Sequence, residues 1–144
     1  MPPRKVHFGG NGVALTADQV GQTETGAVVA APEHYASKVL PGAPDVFSTP
    51  SLGALVEATA GGWLSRQIEG TQMSVGTQIV INHTGATPPG LTVTVEVKVA
   101  AVEGRKVDFE WTAKDDREQV GHGTHQRFVV DAARFMAGVE KKKG

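Results

Sequence analysis

The chain contains no cysteine, which excludes a disulfide framework and thiolate chemistry. Aromatic residues make up only 6% of it, so its core must be built mainly from aliphatic side chains. No apolar run approaches the roughly 18 residues that a spanning helix needs. The start, MPPRKVHFGGNG, is basic but has no apolar stretch of the kind a secretory signal carries. A cytoplasmic protein without membrane association is therefore expected. An excess of either charge is also lacking. Fourteen basic residues against fifteen acidic give a net charge of −1, which offers no electrostatic footprint for nucleic acid. The G-x-S-x-G elbow that presents a serine nucleophile is missing too.

What is present reads as one domain spanning residues 1–144, long enough to bury a core unaided. Residues 1–17 are rich in proline, glycine and basic side chains, and are expected to form an irregular N-terminal arm. The Phe8–Gly12 run (FGGNG) reads as a turn, because a phosphate loop needs a strand before it and a helix after it. Gln22–Ala31 is expected as a first strand, and Pro32–Val39 as a short helix or irregular turn. Leu40–Asp45 (LPGAPD) is a loop that leads into the main helix, expected over Val46–Ile68. Ser48 or Thr49 can cap that helix, and Pro50 suits its first turn. Leu52, Leu55, Val56, Ala60, Trp63 and Leu64 recur at spacings of three and four, giving one apolar stripe. Gly70 is the expected stop. Glu57, the only acid between Val46 and Gln67, falls at the margin of the stripe. Under a close-fitting sheet it would be a buried carboxylate in need of a partner.

After Gly70 the period changes from 3.6 to 2. Ser74–Thr84 is expected as a strand with Ile79, Ile81 and His83 on one face. Leu91–Val102 alternates, with Leu91, Val93, Val95, Val97 and Val99 inward. Val107, Phe109, Trp111 and Ala113 repeat the pattern, and Gln119–Val130 forms a last strand. Asp131 can cap a closing helix over Ala132–Lys142. Strands with one apolar and one polar face make an antiparallel sheet solvated on one side. Only one long helix is available to cover the other side. The fold class that satisfies this is α+β: a curved antiparallel β-sheet wrapped round one central α-helix, the hotdog architecture.

Several side chains could carry chemistry. His122 and His125 resemble an H-x-x-H metal pair, but residues three apart on a strand point to opposite faces, and no metal site is expected. His83 is either a buried neutral histidine satisfied by a backbone group or the partner of Glu57 across the helix–sheet packing, as base and orienting carboxylate. Thr49 is either a cap or a hydroxyl beside helix-terminal amides, suited to a developing oxyanion. Gly121 and Gly123 share a strand face with His125 and Arg127 and leave space for a backbone or a ligand. Gly61-Gly62 does the same inside the helix and allows close approach of another helix or strand, as in a dimer. Arg127 binds an anionic group or forms a surface salt bridge; the residues alone leave both open.

VFSTPSLGALVEATA at 46–60, GTQIVINHTGATPPGLTVTVEV at 76–97, EGRKVDFEWTAKD at 103–115 and GHGTHQRFVV at 121–130 together resemble the fluoroacetyl-CoA thioesterase-like group of hotdog proteins. The resemblance implies a homodimeric acyl-CoA thioesterase that hydrolyses its substrate without a metal or other cofactor, CoA being part of the substrate. It implies Thr49, Glu57 and His83 as the catalytic set, with Gly76 and Arg127 near the acyl group. Ala43 stands where the fluoroacetyl-selective enzyme carries an aromatic lid, and Pro50 where it carries a glycine. The expected substrate is therefore a short- or medium-chain acyl-CoA other than fluoroacetyl-CoA. A hotdog hydratase would need a D-x-N-x-x-H-type loop, which this chain lacks. A non-catalytic hotdog protein that binds acyl-CoA or a small ligand is the remaining alternative.

Overall fold

The computed structural model describes residues 15–144. The expected turn at Phe8–Gly12 and most of the expected arm lie outside the described residues. The end of that arm is anchored: Leu15 is buried in the core, and a 3-10 turn at Ala17–Gln19 follows. Thr16 caps the turn by accepting from the Asp18 amide, and the Gln19 side chain accepts from the Thr16 amide in return.

Five strands form one antiparallel sheet: β1 (Thr23–Val29), β2 (Gln72–His83), β3 (Thr92–Glu103), β4 (Lys106–Lys114) and β5 (Gln119–Asp131). Their spatial order is β1-β3-β4-β5-β2, which leaves β1 and β2 at the edges. Between β1 and β2 come a 3-10 turn at Pro32–His34, the single-turn helix α1 (Ala36–Val39) and the long helix α2 (Thr49–Ser65). Helix α3 (Ala132–Lys141) closes the chain, with the Asp131 carboxylate accepting from the Arg134 amide at its start. The curled sheet holds α2 against its inner face, and the fold is the hotdog fold that the alternation predicts.

The core follows from the two periods. Val93, Val95, Val97 and Val99 of β3 and Val107, Phe109, Trp111 and Ala113 of β4 are fully or almost fully buried. They meet Leu52, Val56, Ala60 and Leu64 on one side of α2. At about 1.5–3 kcal/mol for each large aliphatic or aromatic side chain removed from water, this face dominates the stability. Trp63 meets Phe109 edge-on, with centroids 5.9 Å apart, and its indole N–H donates to Gln22.

Helix α2 is shorter at both ends than expected. Phe47 cannot join it, because its backbone forms a bridge with Tyr35 and donates to the Thr87 carbonyl. The helix therefore starts after Ser48, whose hydroxyl accepts from the Ser51 amide at 3.2 Å. At the other end Ser65 and Arg66 donate to the Gly62 carbonyl and Gln67 to the Trp63 carbonyl. Side chains thus satisfy the last turn, and Gly70 lies beyond the stop. The loop after β2 is held from beneath. Thr87, fully buried, donates to Asp115, which also accepts from the amides of Arg117 and Glu118 in the β4–β5 turn.

Candidate functional site

Four residues of α2, Thr49, Gly53, Glu57 and Gly61, follow one another at intervals of four and so share one face. That face packs along β2 and the adjoining part of β5. Thr49 meets His83, and a Cβ at Gly53 would touch the Ile81 side chain at 3.1 Å. Further along, Glu57 lies beside Gly76, and Gly61 beside the Arg127 guanidinium. A β-bulge between Gly76 and Gln78 makes this alignment possible. The extra residue, Thr77, reverses the alternation, so Ser74 and Gly76 turn to the same side as Ile79, Ile81 and His83.

At the start of the helix, Thr49 Oγ1 lies 2.8 Å from His83 Nδ1. Thr49 is not the cap; Ser48 has that role, which leaves the threonine hydroxyl for the histidine. His83 Nε2 is buried without a hydrogen-bond partner among the described residues. Burial holds the His83 pKa below its ordinary value of 6.5 and favours the neutral ring. The first turn offers fewer amides than its position suggests. Pro50 has no N–H, and the Ser51 N–H donates to Ser48. The Thr49 N–H is the amide of that turn without a partner among the described residues. A concavity of about 310 Å³ opens here, lined by Phe47, Ser48, Thr49, His83, Gly85 and Ala86 among others.

Two turns on, roughly 12 Å along the helix axis, Glu57 has a different partner from the one expected. It does not pair with His83; its Oε1 lies 3.7 Å from Arg127 Nη1. Nor is it a buried carboxylate, since half of its side chain is exposed. The helix margin faces outward here because β2 is an edge strand and no further strand among the described residues covers it. Glu57 makes no hydrogen bond to any described residue, so the guanidinium attracts its carboxylate without fixing its orientation.

Arg127 is the buried member of that pair, at 9% exposure, and the surface salt bridge considered from sequence is not its role. Its Nε donates to Ser74 Oγ at 2.9 Å and its Nη2 to the Ser74 carbonyl at 3.2 Å. Its Nη1 lies 3.2 Å from His125 Nε2. Burial works to lower the arginine pKa, and Glu57 opposes that shift by favouring the charged form. A methyl group at Gly76 would lie 3.3 Å from Arg127 Nη1, Glu57 Oε1 and His125 Cε1, so these three groups converge on one point.

Of the five expected site residues, the structure pairs Thr49 with His83 and groups Glu57 with Gly76 and Arg127. Sequence reasoning missed Ser74 and His125. Regular alternation would set Ser74 opposite Ile79, Ile81 and His83, and a glycine inside a strand was the available sign of the bulge that reverses it. His125 already shared a face with Arg127 in the sequence, and it is buried while His122 is exposed, so the two histidines point to opposite faces of β5. The glycine readings are also resolved. Gly121 and Gly123 give room to Leu52, Trp111 and the β2 backbone, leaving none for a ligand. Gly61 gives room to Arg127, while Gly62 faces open space. A larger hollow of about 680 Å³ lies on the outer face of the sheet, lined by threonine and acidic side chains such as Thr94, Glu96 and Thr112. It includes no histidine and is separate from these groups.

A family model described as fluoroacetyl-CoA-specific thioesterase matches residues 29–133. The fluoroacetyl-CoA thioesterase of Streptantibioticus cattleyicolor is 39% identical over 99 residues, covering 69% of this chain and 71% of that protein. A point mutant of the fluoroacetyl-CoA-specific thioesterase FlK, solved in complex with fluoroacetate and CoA, superposes with a TM-score of 0.77 at 35% identity. The match covers 81% of this chain and 98% of that one. A hot-dog-like protein from Thermanaerovibrio acidaminovorans is 22% identical and superposes with a TM-score of 0.81. It covers 87% of this chain and 93% of its own, a likeness of fold alone.

Proposed function

The chain belongs to the fluoroacetyl-CoA-specific thioesterase family, and from that premise we propose that Thr49, Glu57 and His83 hydrolyse a short- or medium-chain acyl-CoA. Thioester hydrolysis follows from the family; the acyl group and the residues that act are our reading. The observation that carries it is the Thr49–His83 contact at 2.8 Å beside the concavity, with His83 Nε2 buried and unpartnered among the described residues. A neutral imidazole with one nitrogen on a hydroxyl and the other unbonded is placed to move a proton.

In this reading the thioester carbonyl lies at the start of α2, where the Thr49 hydroxyl and N–H polarise it. Glu57, held by charge and free of hydrogen bonds to the described residues, attacks the carbonyl or draws a proton from the attacking water. Neutral His83 takes up at Nε2 the proton that the attacking water gives up, directly or by way of Glu57, and passes it to the CoA sulfur, which leaves as the thiol. Gly76 and Arg127 border the acyl group. Ala43 in the loop before α2 stands where the resemblance puts an aromatic lid, which supports an acyl group other than fluoroacetyl. Edge strand β2 offers unpaired backbone groups to a second copy of the chain, which supports a homodimer.

A panel of acyl-CoAs of increasing chain length, followed by thiol release, tests the proposal. The wild type is expected to cleave short or medium chains faster than fluoroacetyl-CoA, and Glu57→Ala and His83→Ala to lose that activity. Tight binding of the panel with no thiol released would make the protein a carrier of acyl-CoA. Full rates in both variants would remove the residue assignment.

A further inference from the structure

We propose that His125 is a positioning residue for this site: anchored through its Nδ1–H on the Gln78 carbonyl, it presents Nε2 to Arg127 and so aims the guanidinium at Glu57. The inference rests on the assignment of Glu57 and Arg127 above and extends it to a residue that does not touch the substrate.

The donor and acceptor chemistry leaves one arrangement. His125 Nδ1 lies 2.8 Å from the Gln78 carbonyl oxygen, which can only accept, so Nδ1 carries the proton. In the neutral ring Nε2 then has a free lone pair. The group facing it at 3.2 Å is Arg127 Nη1, and a guanidinium can only donate. Nη1 has two hydrogens. One is taken by His125, which directs the other towards Glu57 Oε1 at 3.7 Å. Ser74 holds the opposite side of the same plane through Nε and Nη2. The guanidinium is thereby fixed on three edges.

The imidazole is itself held. It is 2% exposed and stacks on Phe109, with centroids 6.1 Å apart. Its anchor, Gln78, adjoins the bulge that brings Ser74 and Gly76 inward. One irregularity in β2 thus supplies the residues that hold Arg127 and the room in which it meets Glu57. Protonation of His125 would turn its acceptor into a donor and set two cations face to face. Burial disfavours that charge, the bond to Gln78 and the charge of Glu57 favour it, and Arg127 opposes it; the net direction is towards the neutral ring.

Two experiments test the role. In protein labelled with 15N-histidine, His125 is expected as the neutral Nδ1–H tautomer at neutral pH, with an Nε2 resonance that moves in Arg127→Ala. An Nε2–H tautomer, or no response to Arg127→Ala, overturns the proposal whether or not any acyl-CoA is cleaved. The second is kinetic. His125→Asn keeps a donor for Gln78 but has no atom at the Nε2 position, and is expected to lose roughly tenfold in kcat with KM little changed. His125→Gln places an amide oxygen there and is expected to recover most of the loss. In an Arg127→Ala background, His125→Asn should cost little more, because both changes remove one interaction. Equal losses in the Asn and Gln variants that follow their melting temperatures would show a packing role only and overturn the proposal. A wild type that releases no thiol would remove the hydrolase reading, and the tautomer result would then decide this one.

Discussion

The seam between α2 and β2 has one geometry and two bonding states. At the Thr49 end, a threonine and a histidine share a single hydrogen bond, while Nε2 and the Thr49 N–H have no partner among the described residues. At the Glu57 end, Arg127 makes three hydrogen bonds, and each nitrogen of His125 has a partner. Leaving a buried polar atom unsatisfied costs about 1–3 kcal/mol, so a fold keeps such an atom where binding will satisfy it. The open end is suited to meet a substrate, and the saturated end to hold a shape. Glu57 lies between the two states: attracted by the braced cation, without a hydrogen bond to any described residue, and half exposed.

If this division is right, changes at the two ends fail in different ways. The largest effect is expected from His83→Ala, which should lower kcat by about 10²–10⁴-fold, the usual worth of a general acid or base. Its melting temperature should barely fall, since the bond lost is a partly exposed one. Arg127→Lys should show the opposite balance. Lysine has no planar fork to span Ser74, His125 and Glu57, so stability and kcat should both drop, kcat by less than in His83→Ala. Steady-state kinetics beside thermal melts would decide, and a loss of the same kind at both ends would merge them into one unit.

Gly76→Ala comes next. Its methyl group would press at 3.3 Å on Arg127, Glu57 and His125 together, closer than ordinary carbon contacts. Overpacking of this kind costs about 1–3 kcal/mol, and the carboxylate is the member free to move away. A fall in kcat with a smaller fall in melting temperature is expected. Full activity would show that the Glu57 position is not critical.

Much of this structure could be read from the chain, and the reasons for the rest are specific. The valines of β3 and the apolar stripe of α2 stand out because their periods are local. The start of α2 does not, because Phe47 is held extended by Tyr35 and Thr87, one before it in the chain and one well after it. The partners of Glu57 were hidden for a similar reason. Strand parity matched His83 to the helix face correctly, but one extra residue at Thr77 moves Ser74 and Gly76 to that face as well. Glu57 lies two turns from the Thr49–His83 contact, level with Gly76, and the bulge is what opens that level to Arg127. Alternation specifies which residues face inward; it does not specify register across a bulge.

A smaller effect is expected at Thr49. Thr49→Ser keeps the hydroxyl that His83 meets and should keep most of the rate. Thr49→Val keeps the shape and removes the bond, with an expected loss of roughly tenfold in kcat/KM, the worth of one hydrogen bond of about 1.4 kcal/mol. Equal rates for the two variants would make the hydroxyl incidental and leave His83 to act without it.

The smallest effect separates the ends by pH. Burial lowers the pKa of both His83 and His125 below 6.5, with opposite consequences for what is measured. His83 must be neutral to take up a proton at Nε2, so the acid limb of kcat/KM should fall below pH 6.5 and change its midpoint only when residues at that end change. For stability, the unfolded chain takes up a proton on each histidine near pH 6.5, while the folded protein resists it. Stability should then be level above that pH and decline as pH falls from 6.5 towards the folded-state pKa values. His125, ringed by Arg127 and Glu57, contributes to that decline without contacting the substrate. Melting curves between pH 5 and 8 should therefore show a drop of a few degrees that is reduced in His125→Gln, while the kinetic limb of that variant stays in place. A kinetic limb that moved with His125→Gln would mean that protonation of the braced end, and not of His83, controls the reaction.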